Sequence, residues 1–115
     1  MSQLTAKIEA FADLPEAWDS YGALRISATA IHRAVVTVEY LNDMALDETI
    51  TVSAFPVSTG IVQLDLNCAV TGRGVEIDCD EKGTATVTYF DRDNDLIKGP
   101  TDVHCHTIET FLLQA

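Results

Sequence analysis

The chain has 115 residues, 47% of them hydrophobic, with seven basic side chains against 18 acidic ones and a formal net charge of −11. A length and apolar content of this order predict one domain, residues 1–115, able to bury a core without disulfides or metal. The charge excludes direct binding to nucleic acid, where affinity comes from Lys and Arg displacing counterions from phosphates, and no apolar stretch approaches a membrane span.

From the N-terminus, Leu4, Ile8 and Phe11 recur at helical spacing over residues 3–13, with Ser2 or Thr5 available as a cap and Pro15 ending the run. The segment from Leu14 to Ala23 mixes Trp18 and Tyr21 with turn formers and reads as an ordered loop or a broken helix. Ser27 is a good N-cap for a second helix whose face is Ile31, Ala34, Val35, Val38 and Leu41, and which fades near Asn42-Asp43. Ile50 to Phe55 is a candidate strand closed by Pro56. Gly60, Thr71-Gly72-Arg73-Gly74 and Glu81-Lys82-Gly83 then punctuate a three-strand meander. Asp91 to Pro100 reads as a polar loop. A last helix is expected from Asp102, with Cys105, Ile108, Phe111 and Leu112 on one face. Helices followed by a run of strands predict an α+β domain: two N-terminal helices, an antiparallel three- to four-stranded meander, and a C-terminal helix packed on one face of the sheet.

The meander carries the strongest pattern in the chain. Apolar residues take alternate positions in Val62–Cys68, Val75–Asp80 and Ala85–Tyr89, which describes a sheet buried on one face and wet on the other. Leu64, Leu66, Ile77, Val87 and Tyr89 should lie under Ile8, Phe11, Ile31, Val35 and Val38, with Glu76 and Asp78 exposed. The solvent face would gather Asp65, Glu76, Asp78 and Asp80, with Asp91, Asp93 and Asp95 just beyond. A surface of that sign suits a partner protein with a basic surface.

Other chemistry is weaker. Asp91-x-Asp93-x-Asp95 followed by Asp102 has the spacing of a calcium loop, but Leu96 stands where the turn needs glycine and Lys98 where an apolar residue is usual, so a solvated loop is expected. His104-Cys105-His106 holds three zinc-ligand types. On a helix the two imidazoles cannot share one ion; on a strand His104 and His106 would point together, and Cys79 or Cys68 would have to complete the set. No metal or other cofactor is therefore expected. Cys105 between histidines does not make a catalytic pair, since such groups meet through the fold. Thr71-Gly72-Arg73-Gly74 lies between strands and reads as a hairpin rather than a phosphate loop. Cys68, Cys79 and Cys105 are an odd number at no familiar spacing, and no basic start precedes an apolar run. Free buried thiols in a reducing cytoplasm are expected, although Cys68 and Cys79 could face each other across the hairpin. Trp18 and Tyr21 either plug one end of the core or form an exposed aromatic anchor.

Trp18-Asp19-x-x-Gly22-Ala23, then Ile26-Ser27 and a helix, Pro56-x-x-x-Gly60, an apolar pair, Gln63-Leu64 and Val75-Glu76-Ile77-Asp78 together resemble a group of small bacterial and phage-encoded proteins, most without an assigned function. The resemblance spans roughly residues 14–90. It departs at Asn67 and Cys68, where the group often has tryptophan. It supplies no catalytic residue and implies an accessory protein on mobile DNA. The resulting expectation is a non-catalytic acidic binding protein, a nucleic-acid mimic that occupies the basic groove of a host defence nuclease or CRISPR-type complex. The alternatives are an accessory or antitoxin-like partner using an apolar interface, and a metal- or thiol-dependent enzyme using His104, Cys105 and His106.

Overall fold

The computed structural model describes residues 3–93 and 95–114, apart from the side chains of residues 98–102 and 105. Helix α1 (Gln3–Ala10) runs into a short 3-10 turn, Phe11–Asp13, and a loop leads to α2 (Ala28–Asp43). Five strands follow, β1 (Ile50–Pro56), β2 (Val62–Cys68), β3 (Gly74–Cys79), β4 (Ala85–Phe90) and β5 (Leu96–Asp102), and α3 (Cys105–Leu113) closes the chain. All strands pair antiparallel in sequence order, an α+β meander.

Helix α2 starts where Ser27, in extended backbone, accepts a hydrogen bond from the Ala30 N–H at 3.3 Å. Its buried stripe of Ala30, Ile31, Ala34, Thr37, Val38 and Leu41 follows the helical period and lies on the sheet. The opposing sheet face is Ala54, Leu64, Leu66, Ile77, Val87 and Tyr89, all buried, with Ile8, Phe11, Ile108 and Leu112 in the same core. Each expected core residue is therefore inside except Val35, which is half-buried against it. Because side chains alternate strictly, this register leaves Gln63, Asp65, Glu76, Asp78, Thr86 and Thr88 on the opposite face.

Basic side chains stitch the layers together. The Arg33 Nε donates to the Gly83 carbonyl at 2.7 Å, tying α2 to the β3–β4 turn. Arg73 donates to the Phe111 carbonyl at 3.2 Å with its guanidinium 4.8 Å over the Phe111 ring, and the Thr71 hydroxyl donates to the Leu112 carbonyl at 2.6 Å. These two residues satisfy carbonyls that the last turn of α3 leaves without intrahelical partners, and the cation sits at the negative end of the helix.

Two expectations are corrected at the C-terminal end. Residues 91–100 are not all loop, because Leu96–Asp102 forms the fifth strand. Lys98, Gly99 and Pro100 are poor strand formers, but pairing along β4 outweighs their propensity, and the register shifts beside Tyr89 and the proline mark an edge strand. The last helix also begins at Cys105 rather than near Asp102, which pairs with Thr86; His104 is its N-cap, accepting from the Thr107 N–H at 3.3 Å.

Candidate functional site

The open face of the sheet is built from three rows running across the strands, two of them mainly polar. One row reads Ser53, Asp65, Glu76, Thr88; the next reads Phe55, Gln63, Asp78, Thr86; the third reads Thr51, Asn67, Gly74, Phe90, Leu96. The Cys68 N–H donates to the Arg73 carbonyl, so pairs between β2 and β3 alternate from that point. Asp65 with Glu76, and Gln63 with Asp78, consequently fall at non-hydrogen-bonded pairs, where Cα atoms approach to ~4.5 Å and side chains crowd most closely.

That crowding has an electrostatic result. Burial first, then the charges of Asp78 and Asp65, pushes the Glu76 carboxyl above the ordinary glutamate value. Burial first, then Asp65, does the same to Asp78. Both residues are half-buried rather than fully exposed as their strand pattern suggests, because neighbouring rows on the pleated face stand beside them. Gln63 Nε2 donates to Asp65 Oδ1 at 2.9 Å, while among the described residues no donor or cation is paired with Glu76 or Asp78. At the β1 edge of this face Lys7 lies 5.3 Å over the Phe55 ring.

Two of the remaining aspartates of the expected surface close turns. Asp80 Oδ1 accepts from the N–H groups of Lys82 and Thr84 at 2.9 and 3.0 Å, closing the β3–β4 turn. Asp91 Oδ1 accepts from those of Asp93 and Asp95, both at 2.9 Å, closing the β4–β5 turn, and Asp93 and Asp95 point into solvent. Asp19 repeats the arrangement toward Tyr21 and Ala23 at 2.8 and 3.1 Å. The spacing Asp-x-x-Gly, seen at Asp19–Gly22 and Asp80–Gly83 with both glycines at positive φ, is the sequence signal for these turns.

Trp18 and Tyr21 separate. Trp18 packs on the core and donates from Nε1 to the Leu24 carbonyl at 3.1 Å, whereas Tyr21 is 92% exposed. The loop that carries them is fastened to the β1–β2 turn by Leu24 N–H to Ser58 and Ser27 N–H to Gly60, each 2.8 Å. Ala17 and Ser20 hold positive φ within it. A Cβ on Gly60 would come within 2.9 Å of the Arg25 carbonyl oxygen, so only glycine admits this close approach.

The thiols lie apart. Cys68 pairs with Ile50 and Cys79 with Val62, at opposite ends of β2, so the hairpin separates them by about 20 Å at ~3.3 Å per residue. Both are buried and free. Burial pushes the Cys79 thiol up to about 12, far from a usable nucleophile. For Cys68 burial acts upward, but hydrogen bonds from Thr71, Thr49 and the Val70 N–H outweigh it and move the thiol below its ordinary value. His104 serves as a helix cap, His106 is exposed, and the Cys105 side chain lies outside the described residues. Among the described residues no three His, Cys, Asp or Glu side chains are grouped to hold a metal ion, and no helix is long and apolar enough to cross a membrane. No protein-family model, curated protein or solved structure matches this chain.

Proposed function

We propose that this chain is a non-catalytic inhibitor whose acidic sheet face, centred on Asp65, Glu76 and Asp78, occupies the basic groove of a nucleic-acid-binding defence complex such as a nuclease or CRISPR-type effector. The observation that carries this reading is the pair of crowded, half-buried carboxylates that have no partner among the described residues, on a face turned away from the helices. Their repulsion is relieved when a basic surface covers them, so electrostatic complementarity favours docking there. Same-face residues recur at ~6.6 Å along a strand and ~4.8 Å between strands, close to the ~6–7 Å spacing of phosphates along one strand of DNA. The carboxylates stand on an open surface rather than in a pocket that would drive their pKa values apart, which argues against acid–base catalysis. The resemblance to phage-encoded accessory proteins fits the same role.

The test is displacement of labelled duplex DNA from a purified CRISPR-type effector, read by fluorescence anisotropy. The wild-type chain should displace DNA, with potency falling steeply between 50 and 300 mM salt, on the order of the screening expected for exposed charges. The variant Asp65→Lys/Glu76→Lys/Asp78→Lys should not displace it; Asp80 is left intact because it builds a turn. Equal displacement by the variant would sink the reading.

One observation favours a second reading, an accessory or antitoxin-like partner with an apolar interface. Tyr21 is held almost fully in solvent by a loop whose backbone is hydrogen-bonded on both sides, beside the exposed Leu24. Exposed rigid aromatics commonly anchor interfaces. Binding that ignores salt and is lost in Tyr21→Ser would select this alternative.

A further inference from the structure

The open face is not uniformly flat. Gly74 faces Phe90 across β3 and β4 and Asn67 across β2 and β3, and its missing side chain leaves a shallow depression of about 270 Å³ bordered by Gln63, Asp65, Asn67, Glu76 and Phe90. Carboxylates stand on one side, an amide on another, and a half-buried aromatic ring forms a wall. Gly74 has ordinary backbone geometry, and a Cβ built there would lie 3.1 Å from Asn67 Oδ1, so a methyl group would occupy the floor.

We propose that this depression seats an arginine side chain of the partner protein, its guanidinium between Asp65 and Glu76 and stacked against Phe90. The proposal rests on the acidic-face reading above and deepens it from charge to shape. A guanidinium is planar, carries donors in a fixed fork suited to carboxylates, and is weakly enough hydrated to leave water for an aromatic surface; an ammonium is a compact, strongly hydrated point charge. A flat acidic surface would take either cation, whereas an aromatic wall beside paired carboxylates favours arginine. The amide of Asn67 adds a further acceptor at the margin.

Hexa-arginine and hexa-lysine peptides are the probes, titrated into the purified full chain at low salt by calorimetry, with amide NMR to locate the site. Hexa-arginine should bind about two- to fivefold more tightly, the factor expected for one exposed cation–π contact. Its largest shifts should fall at Gly74 and Phe90. Phe90→Leu should bring the ratio near one while leaving hexa-lysine affinity unchanged. Gly74→Ala, which fills the floor without touching a charge, should do the same, and the NMR spectra report whether each variant is folded. Equal binding of both peptides, or an arginine preference that survives in folded Phe90→Leu and Gly74→Ala, overturns the seat and leaves the acidic face standing. Binding of neither peptide overturns both.

Discussion

Two sets of carboxylates occupy neighbouring parts of this molecule and do opposite work. Asp19, Asp80 and Asp91 each accept two backbone N–H groups, from residues two and four positions ahead, and so hold a turn closed. Asp65, Glu76 and Asp78 sit on regular strands, where backbone groups are already paired in the ladder, and they face one another. Charge that organises structure is spent locally; charge left over on the sheet remains available to a partner. A net charge alone does not distinguish these uses, and the acidic patch on the sheet is correspondingly smaller than the number of aspartates implies.

The widest separation of the two sets comes from removing one member of the turn group. Asp80→Ala leaves the N–H groups of Lys82 and Thr84 without their acceptor and frees the loop whose Gly83 carbonyl holds Arg33. Water can reach those N–H groups, so the expected loss is about 1–2 kcal/mol, comparable with deleting a helix cap. Urea unfolding should show a lower midpoint with an unchanged slope. A midpoint equal to wild type would show that the turn closes without its aspartate.

The same operation on the strand group should act in the other direction. In Glu76→Gln/Asp78→Asn the shapes are kept and the repulsion goes, so stability at neutral pH should rise, by about 0.2–1 kcal/mol for like charges on paired strands, toward the lower end because these groups are partly solvated. The same unfolding measurement checks the sign. A destabilised double variant would mean that these carboxylates hold structural partners and belong with the turn set.

Why one set was legible in the sequence and the other was not follows from the physics of each. Strict alternation in β2, β3 and β4 fixes which residues face the core, because a slip of one position would bury Glu76 and expose Ile77, and the burial of Leu64, Leu66, Ile77, Val87 and Tyr89 follows from it. Ser27 and the stripe from Ile31 to Leu41 likewise announce α2. β5 is different: Lys98-Gly99-Pro100 has no strand pattern, and the strand exists through its pairing with β4, a tertiary effect. The roles of Asp80 and Asp91 depend on backbone N–H groups curling toward one oxygen, for which Asp-x-x-Gly is a local sign at Asp80, easily passed over beside a more conspicuous acidic run, and is missing at Asp91, where Asn94 stands in place of the glycine. The half-burial of Glu76 and Asp78 needs the pairing type between β2 and β3, which only the register supplies.

The finest test of the comparison is its dependence on pH. Both strand carboxyls have folded values above their ordinary 4.5 for Glu76 and 3.8 for Asp78, with burial the first cause of each shift. In the pH range between ordinary and raised values the folded chain binds more protons than the unfolded chain, so the slope of unfolding free energy against pH is negative. The stability associated with these two groups is fully present below the ordinary values and is lost as pH rises through the folded ones. Wild type and Glu76→Gln/Asp78→Asn should therefore differ most at neutral pH, with the variant more stable, and converge as pH falls below the ordinary values, where the wild-type carboxyls are protonated in both states. Taking the difference between the two proteins removes the titration of acidic groups that do not interact with these two, such as the turn aspartates, which are common to both. Melting curves of the pair from pH 7 down to about pH 3 measure it directly. A gap that stays constant over that range would show that the variant gains its stability by something other than losing charge, and the distinction between turn carboxylates and strand carboxylates would lose its electrostatic basis.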